Sequence, residues 1–258
     1  MTSARLLFPR EHGAYAELAF PLLTGLLCAP PRAATVAFAL AASMGFLAHE
    51  PLAVATGTRG ARRRAALGRT AERQLGWLLA GVAAAGLIGL VMGTQQARLA
   101  TLVPAACVVT LGPWIVRDQL KTIAAELVVV GAFAATVIPL SVSSGRDWSF
   151  GWTAAWVWFA SLSLGTVAVH ALKARHKKTE RAEAATWLTM GLAVLALAMT
   201  VGAAALRWTP WLAVLALVPP GVFTLVLGSW SIHTRHLKRV GWSLVAANAV
   251  TLACLLAI

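Results

Sequence analysis

Nine unbroken apolar stretches, each close to the length of a lipid bilayer, restrict what this chain can fold into. They run over 14–30, 33–55, 75–94, 97–116, 121–143, 150–172, 185–206, 209–230 and 239–258. A helix rises about 1.5 Å per residue, so roughly 20 residues cross about 30 Å of hydrocarbon. Inside lipid every backbone polar group needs an internal partner, which leaves helices or closed barrels. The stretches are continuously apolar rather than alternating, which excludes a barrel. The sequence therefore predicts an all-α polytopic membrane protein, a single transmembrane domain over 1–258 with nine helices. With 59% hydrophobic and 12% charged residues, the chain is also far more apolar than a soluble domain.

Most breaks between these stretches are tight turns bearing Pro, Gly or charge, and only two, 56–74 and 173–184, read as longer cytoplasmic loops. Counted by side, 18 of the 22 Lys and Arg residues fall before the first stretch or in the even-numbered breaks. The positive-inside rule then places the N-terminus in the cytoplasm and, after nine spans, the C-terminus outside. The expected location is a membrane crossed many times, with the basic loops on its cytoplasmic side. The net charge of +13 is not a nucleic-acid signature, because the cations sit in short loops and no stacking-aromatic or helix-turn-helix module accompanies them. Cys28, Cys107 and Cys254 are scattered singly, with no spacing for a disulfide framework or a thiolate metal site. Arg5 and Arg10 before an apolar run resemble a secretory leader, but Glu17 lies inside that run, which reads instead as the first helix. Prolines 104, 139, 219 and 220 fall within spans and predict kinks.

The polar residues are unevenly placed. Eight of the nine acids and all six histidines map to the cytoplasmic half, and Asp147 is the exception. Charged groups within spans cost about 2.5–3.5 kcal/mol to insert, so they normally face a cavity or a partner. Glu11, His12, Tyr15 and Glu17 enter the first helix; Glu11 and Tyr15 share a face at i,i+4. His49-Glu50-Pro51 closes the second stretch. This pair suits a metal or acid–base work, or Glu50 pairs with an arginine of the following loop, and the readings are compatible. Thr166, His170, Lys173 and Lys177 step by helical spacing into one stripe, either an anion-holding row or a snorkelling basic helix end. Trp114, Arg117 and Lys121 step similarly, with Glu126 just inside the next span, and His233 and His236 share a face as a weak metal signal. The candidate set is thus Glu17, His49, Glu50 and His170 for proton or metal chemistry. Arg59, Arg63, Arg117, Lys121, Lys173 and Lys177 are the candidates for an anionic head group, and Glu11, His12, Tyr15 and Glu126 for lining the cavity.

The opening Pro9-Arg10-Glu11-His12-Gly13-Ala14-Tyr15 and the later Phe46-Leu47-Ala48-His49-Glu50-Pro51-Leu52 resemble the YwiC-like family of bacterial membrane proteins. That resemblance implies membership, and with it a multi-pass location in a bacterial cytoplasmic (inner) membrane, without an activity. The layout is also similar to the UbiA superfamily of membrane prenyltransferases, whose nine-helix bundle carries Mg²⁺-binding Asp motifs after helices two and six. The two longest loops here follow the same helices, and Gly112 to Arg117 with Lys121 and Glu126 is similar to a stretch whose cations touch the diphosphate. The Asp motifs are missing. Aligning His49 with the first position leaves Ala53 and Gly57 where carboxylates belong, and aligning His170 leaves Ala174 and Lys178. No metal ligands are assigned, and Mg²⁺ enters by superfamily resemblance alone. The expected partner is a membrane lipid or isoprenoid-type anion, held in a cavity open to the cytoplasmic side, with transferase-like chemistry or with none. A small carrier or a membrane-complex assembly partner is the alternative. Quinone or haem binding ranks last, since the histidines lie near span ends.

Overall fold

The computed structural model describes residues 7–9, 12–116, 119, 122–177, 182–230 and 237–258. All regular structure among them is helical. In chain order the segments are α1 (His12–Leu27), α2 (Ala33–Ala55), α3 (Ala61–Met92), α4 (Gln95–Ala100), α5 (Leu102–Thr110), α6 (Gly112–Val116), α7 (Ile123–Ala135), α8 (Val137–Ser144), α9 (Trp148–His176), α10 (Ala182–Ala205), α11 (Trp211–Ser229) and α12 (Leu237–Leu256). Eight helical runs among the described residues are long and apolar enough to cross a membrane, with α4–α6 and α7–α8 each acting as one broken run. A ninth, over Gly13–Leu27, is apolar but shorter.

Prolines set the breaks. Pro104 and Pro139 supply no N–H to the carbonyls four residues earlier, Ala100 and Ala135, and the helices part at Thr101 and Thr136. Pro220, inside α11, likewise leaves the Ala216 carbonyl without its helical donor. The Thr251 hydroxyl of α12 donates to that carbonyl at 2.7 Å, a neighbouring helix repairing the ladder as a lipid environment requires.

One expectation is revised in detail. The stretch 56–74 is a turn only over 56–60, and from Ala61 it is helical. Gly57 and Gly60 carry positive φ angles of 85° and 98°, which suit glycine and reverse the chain within a few residues. Beyond them Ala and Arg, both strong helix formers, dominate Ala61–Arg73, so charge density there marks a protruding helix end and not a loop. The 32 residues of α3 reach about 48 Å, well past the hydrocarbon thickness. The second long break also shortens, because α9 continues to His176 and α10 begins at Ala182.

Helix α9 is the centre of the bundle, packed against α1, α7, α8, α10, α11 and α12. Trp158 on it is fully buried, stacks on Phe20 with ring centroids 5.5 Å apart, and donates its indole N–H to Thr24 Oγ1 at 2.9 Å. Ser161 and Asn248 join α9 to α12 at 2.6 Å. Helices α2 and α3 form a close hairpin, with Phe38 over Gly89 and Met44 over Gly81. The outer face of α3 leaves Trp77, Leu87, Ile88, Val91 and Met92 exposed, as a lipid-facing helix would.

Counting α4–α6 and α7–α8 as one run each, consecutive helical runs pack on one another through short connections and are therefore antiparallel. The start of α1, the end of α2, the starts of α3 and α7, and the end of α9 accordingly share one end of the bundle, which is also the basic end.

Candidate functional site

Glu50 lies four residues beyond Phe46 and nearly at the end of α2, where the turn at 56–60 folds the next helix back over it. Its side chain is 1% exposed, and two arginines enclose it. Arg59 donates Nε and Nη2 to Oε2 at 3.0 and 2.6 Å. Arg63 approaches from the first turn of α3, with Nη2 3.1 Å from Oε1. That second contact is an ion pair without hydrogen-bond alignment, so Oε1 makes no hydrogen bond. Of the readings open for Glu50 in the sequence, the arginine pairing is the one the geometry displays. One carboxylate between two guanidiniums leaves a net positive charge, and both guanidiniums are about a quarter exposed, at 26%. The arrangement can hold an anion against donors whose orientation a buried carboxylate has already set.

A second pair joins α7 to α9. Glu126 Oε2 and His170 Nε2 are 2.6 Å apart, with side chains 36% and 27% exposed. Glu126 sits in the first turn of α7, where the helix dipole favours a carboxylate.

Tyr15 reaches between these elements. Its ring meets Phe46 edge-on at 5.0 Å, Phe46 meets Phe133 of α7 at 5.7 Å, and its hydroxyl donates to the Pro9 carbonyl at 3.1 Å. Glu17 and His49 are half-buried on α1 and α2. Lys173 and Lys177 are exposed at and just beyond the end of α9, so the expected stripe reaches into solvent from His170 onward. The backbone of His12 opens α1. Glu11, Arg117, Lys121 and Lys178, and the His233 and His236 pair, lie outside the described residues. The structure thus brings together Glu50 with Arg59 and Arg63, and Glu126 with His170. Neither group includes the other's residues. Among the described residues no three His, Cys, Asp or Glu side chains gather as metal ligands. Ala53 and Gly57 offer no ligand atoms where the superfamily resemblance would put carboxylates, and Glu50 is taken up by arginine, so these residues do not fit a Mg²⁺ pair.

Two further residues at this end escaped the sequence reading. Gln74 of α3 pairs with the backbone of Leu7 in both directions, accepting from its N–H at 2.8 Å and donating to its carbonyl at 3.0 Å. Leu7 is thereby held against Val54 and Ala71. Arg175 caps α11 across the bundle, donating to the carbonyls of Leu227, of Gly228 at 2.9 Å and of Trp230 at 3.2 Å. In sequence Gln74 is one amide at the edge of an apolar run, and Arg175 is one cation among five. Only the Arg/Lys cluster at the end of α9 hinted at a cap, and it did not single out Arg175.

A family model described as YwiC-like protein matches residues 8–142, just over half the chain. The match spans α1 to most of α8 and so includes Glu50, Arg59, Arg63 and Glu126, but stops short of His170. No curated protein and no solved structure matches the chain.

Proposed function

The chain belongs to the YwiC-like family, and from that premise we propose that it is a membrane protein that binds an isoprenoid or other lipid anion at its basic end. The carrying observation is Glu50, 1% exposed and clasped by Arg59 and Arg63. A buried carboxylate holding two partly exposed guanidiniums presets their donors for a phosphate-type head group, which lowers the ordering cost of binding. The apolar helix faces around it suit a hydrocarbon tail. A nine-span, UbiA-like layout with the N-terminus in the cytoplasm belongs to the same reading, supported by the nine apolar helical runs and by the placement of basic residues. Transferase-like chemistry would be a further step on the bound lipid, with Glu17, His49 and His170 as its candidate proton carriers.

Binding of geranylgeranyl diphosphate and of phosphatidylglycerol to the purified chain in neutral nanodiscs tests this. Arg59→Gln with Arg63→Gln should weaken both by tenfold or more, whereas Lys177→Gln should change little. Equal affinity in the double variant would overturn the assignment. Saturable binding without turnover of the diphosphate would favour a second reading, a non-catalytic carrier or assembly partner. The engagement of Glu50 by two arginines, which removes it as a free base, already supports that second reading.

A further inference from the structure

The arginines of α3 divide into two groups. Arg63 turns back to Glu50, and Arg64 folds over the glycine turn, its Cδ 3.4 Å from where a Cβ on Gly57 would lie. Arg62, Arg69 and Arg73 face the other way and are exposed. With Ala80, Leu87 and Val91 they follow steps of seven and four, which at about 100° per residue keep all six within roughly 20° of one line. That line runs opposite Ala71, Ala85 and Gly89, the residues α3 buries, and all six of its members are exposed. One outward face of α3 is thus cationic at its start and apolar beyond.

Depth and charge together define what covers this face. The apolar part of α3, Leu75 to Met92, rises about 27 Å, close to the roughly 30 Å of hydrocarbon, so Arg73 stands at head-group level. Trp77, one turn below it and 72% exposed, lies where indoles settle at the boundary. Arg69 is about 6 Å above Arg73, within the head-group layer, whereas Arg62 is about 16 Å above Arg73 and clears it. Arg69 and Arg73 are like charges at i,i+4, which repel without a counter-anion. Among the described residues neither forms an ion pair, and Glu72, the only acid in α3, lies about a quarter-turn off the line. The partner must therefore be anionic at Arg69 and Arg73 and apolar directly below. We propose that this face binds an anionic phospholipid of the leaflet at the basic end, its phosphate between Arg69 and Arg73 and an acyl chain running over Ala80 toward Leu87. The site shares no residue with the Glu50 clasp and does not depend on the reading given for it.

The test uses the full chain in phosphatidylcholine nanodiscs containing a trace of phosphatidylglycerol with a diazirine in its acyl chain, or phosphatidylcholine with the same chain. Cross-links on α3 are compared with those on α11, which exposes Val222 and Val226 to the same leaflet and has no basic residue in its last turn. The phosphatidylglycerol to phosphatidylcholine ratio should be about tenfold higher on α3 than on α11, and should fall in 1 M salt, where screening is stronger. Arg69→Gln with Arg73→Gln should bring α3 down to the α11 value, while Arg62→Gln should change the ratio less than twofold. All three positions are exposed, so the packed interior is untouched, and unaltered labelling of α11 reports an intact bundle. Arg59→Gln with Arg63→Gln should leave the α3 ratio as it was, so that failure of the clasp reading and failure of this one are distinguishable. Equal ratios on α3 and α11, or a ratio that survives the Arg69 and Arg73 changes, would overturn the proposal. A loss with Arg62→Gln as large as that of the double variant would also overturn it, by placing the anion beyond the head groups, where an acidic protein would bind.

Discussion

Glu126 Oε2 rests 2.6 Å from His170 Nε2, closing a separation of 44 residues and tying the start of α7 to the last turns of α9. The contact is short, yet both side chains are about a third exposed, so water screens it more than its length suggests. A double-mutant cycle with Glu126→Gln and His170→Gln should therefore return a coupling of about 0.5–1 kcal/mol in thermal unfolding. A coupling near zero would mean that the pair does not join the two helices.

Glu50 should behave differently, because its carboxylate is buried while both partners are held against it. Glu50→Ala leaves two guanidiniums facing each other without a counter-charge, and should cost about 3 kcal/mol, the lower end for breaking a buried pair. Adding Arg63→Leu to Glu50→Ala should restore part of that loss. Melting temperatures of the single and double variants in one detergent would show it, and additive losses would contradict the clasp.

Glycines in α3 offer a contrast within one helix. A Cβ on Gly89 would lie 2.5 Å from the Phe38 ring, whereas one on Gly86 meets nothing within 4 Å. Gly89→Ala should destabilise the α2–α3 hairpin by about 1–3 kcal/mol through overpacking. Gly86→Ala should be neutral or slightly stabilising, by up to about 1 kcal/mol, from helix propensity. The reverse order in unfolding measurements would show that the hairpin is packed otherwise.

Gln74 should anchor the segment that precedes α1. Gln74→Ala removes both bonds to Leu7 and should cost about 1–2 kcal/mol, read most directly as faster amide exchange at Leu7. Gln74→Glu keeps an acceptor and loses the donor, so it should fall between the two.

Asp147 caps α9 by accepting the Phe150 N–H at 2.9 Å, and this bond holds its carboxyl below the ordinary range. The sign follows directly: the cap stabilises fully above the usual carboxylate range and is lost as pH falls through the lowered value. Asp147→Ala should cost about 1 kcal/mol at neutral pH and Asp147→Ser much less. The stability difference between the unaltered chain and the Asp147→Ala variant should shrink in acid, and a difference independent of pH would exclude capping by the carboxylate.

The helical runs were legible in the sequence because lipid enforces a length and a composition on each segment separately. Boundaries failed where charge was mistaken for loop, as at Arg62-Arg63-Arg64, since a charged helix end and a charged loop share a composition and differ only in backbone hydrogen bonds. The site was legible as a set of residue types gathered at one end. Glu50 with a following arginine was foreseeable from nine residues of separation and one tight turn. The choice of His170 for Glu126, the clamp of Gln74 on Leu7 and the reach of Arg175 to α11 were not.

Helical character, the apolar runs and the gathering of acids and histidines toward one end followed from the sequence by itself, because hydrophobicity and charge act on each stretch locally. Which groups meet was decided only in the tertiary structure. Pairings such as Glu126 with His170 depend on how α7 is rotated against α9, and that rotation is chosen by the sum of many small packing contacts, such as Gly131 leaving room for the Phe159 ring, none of which a linear pattern records.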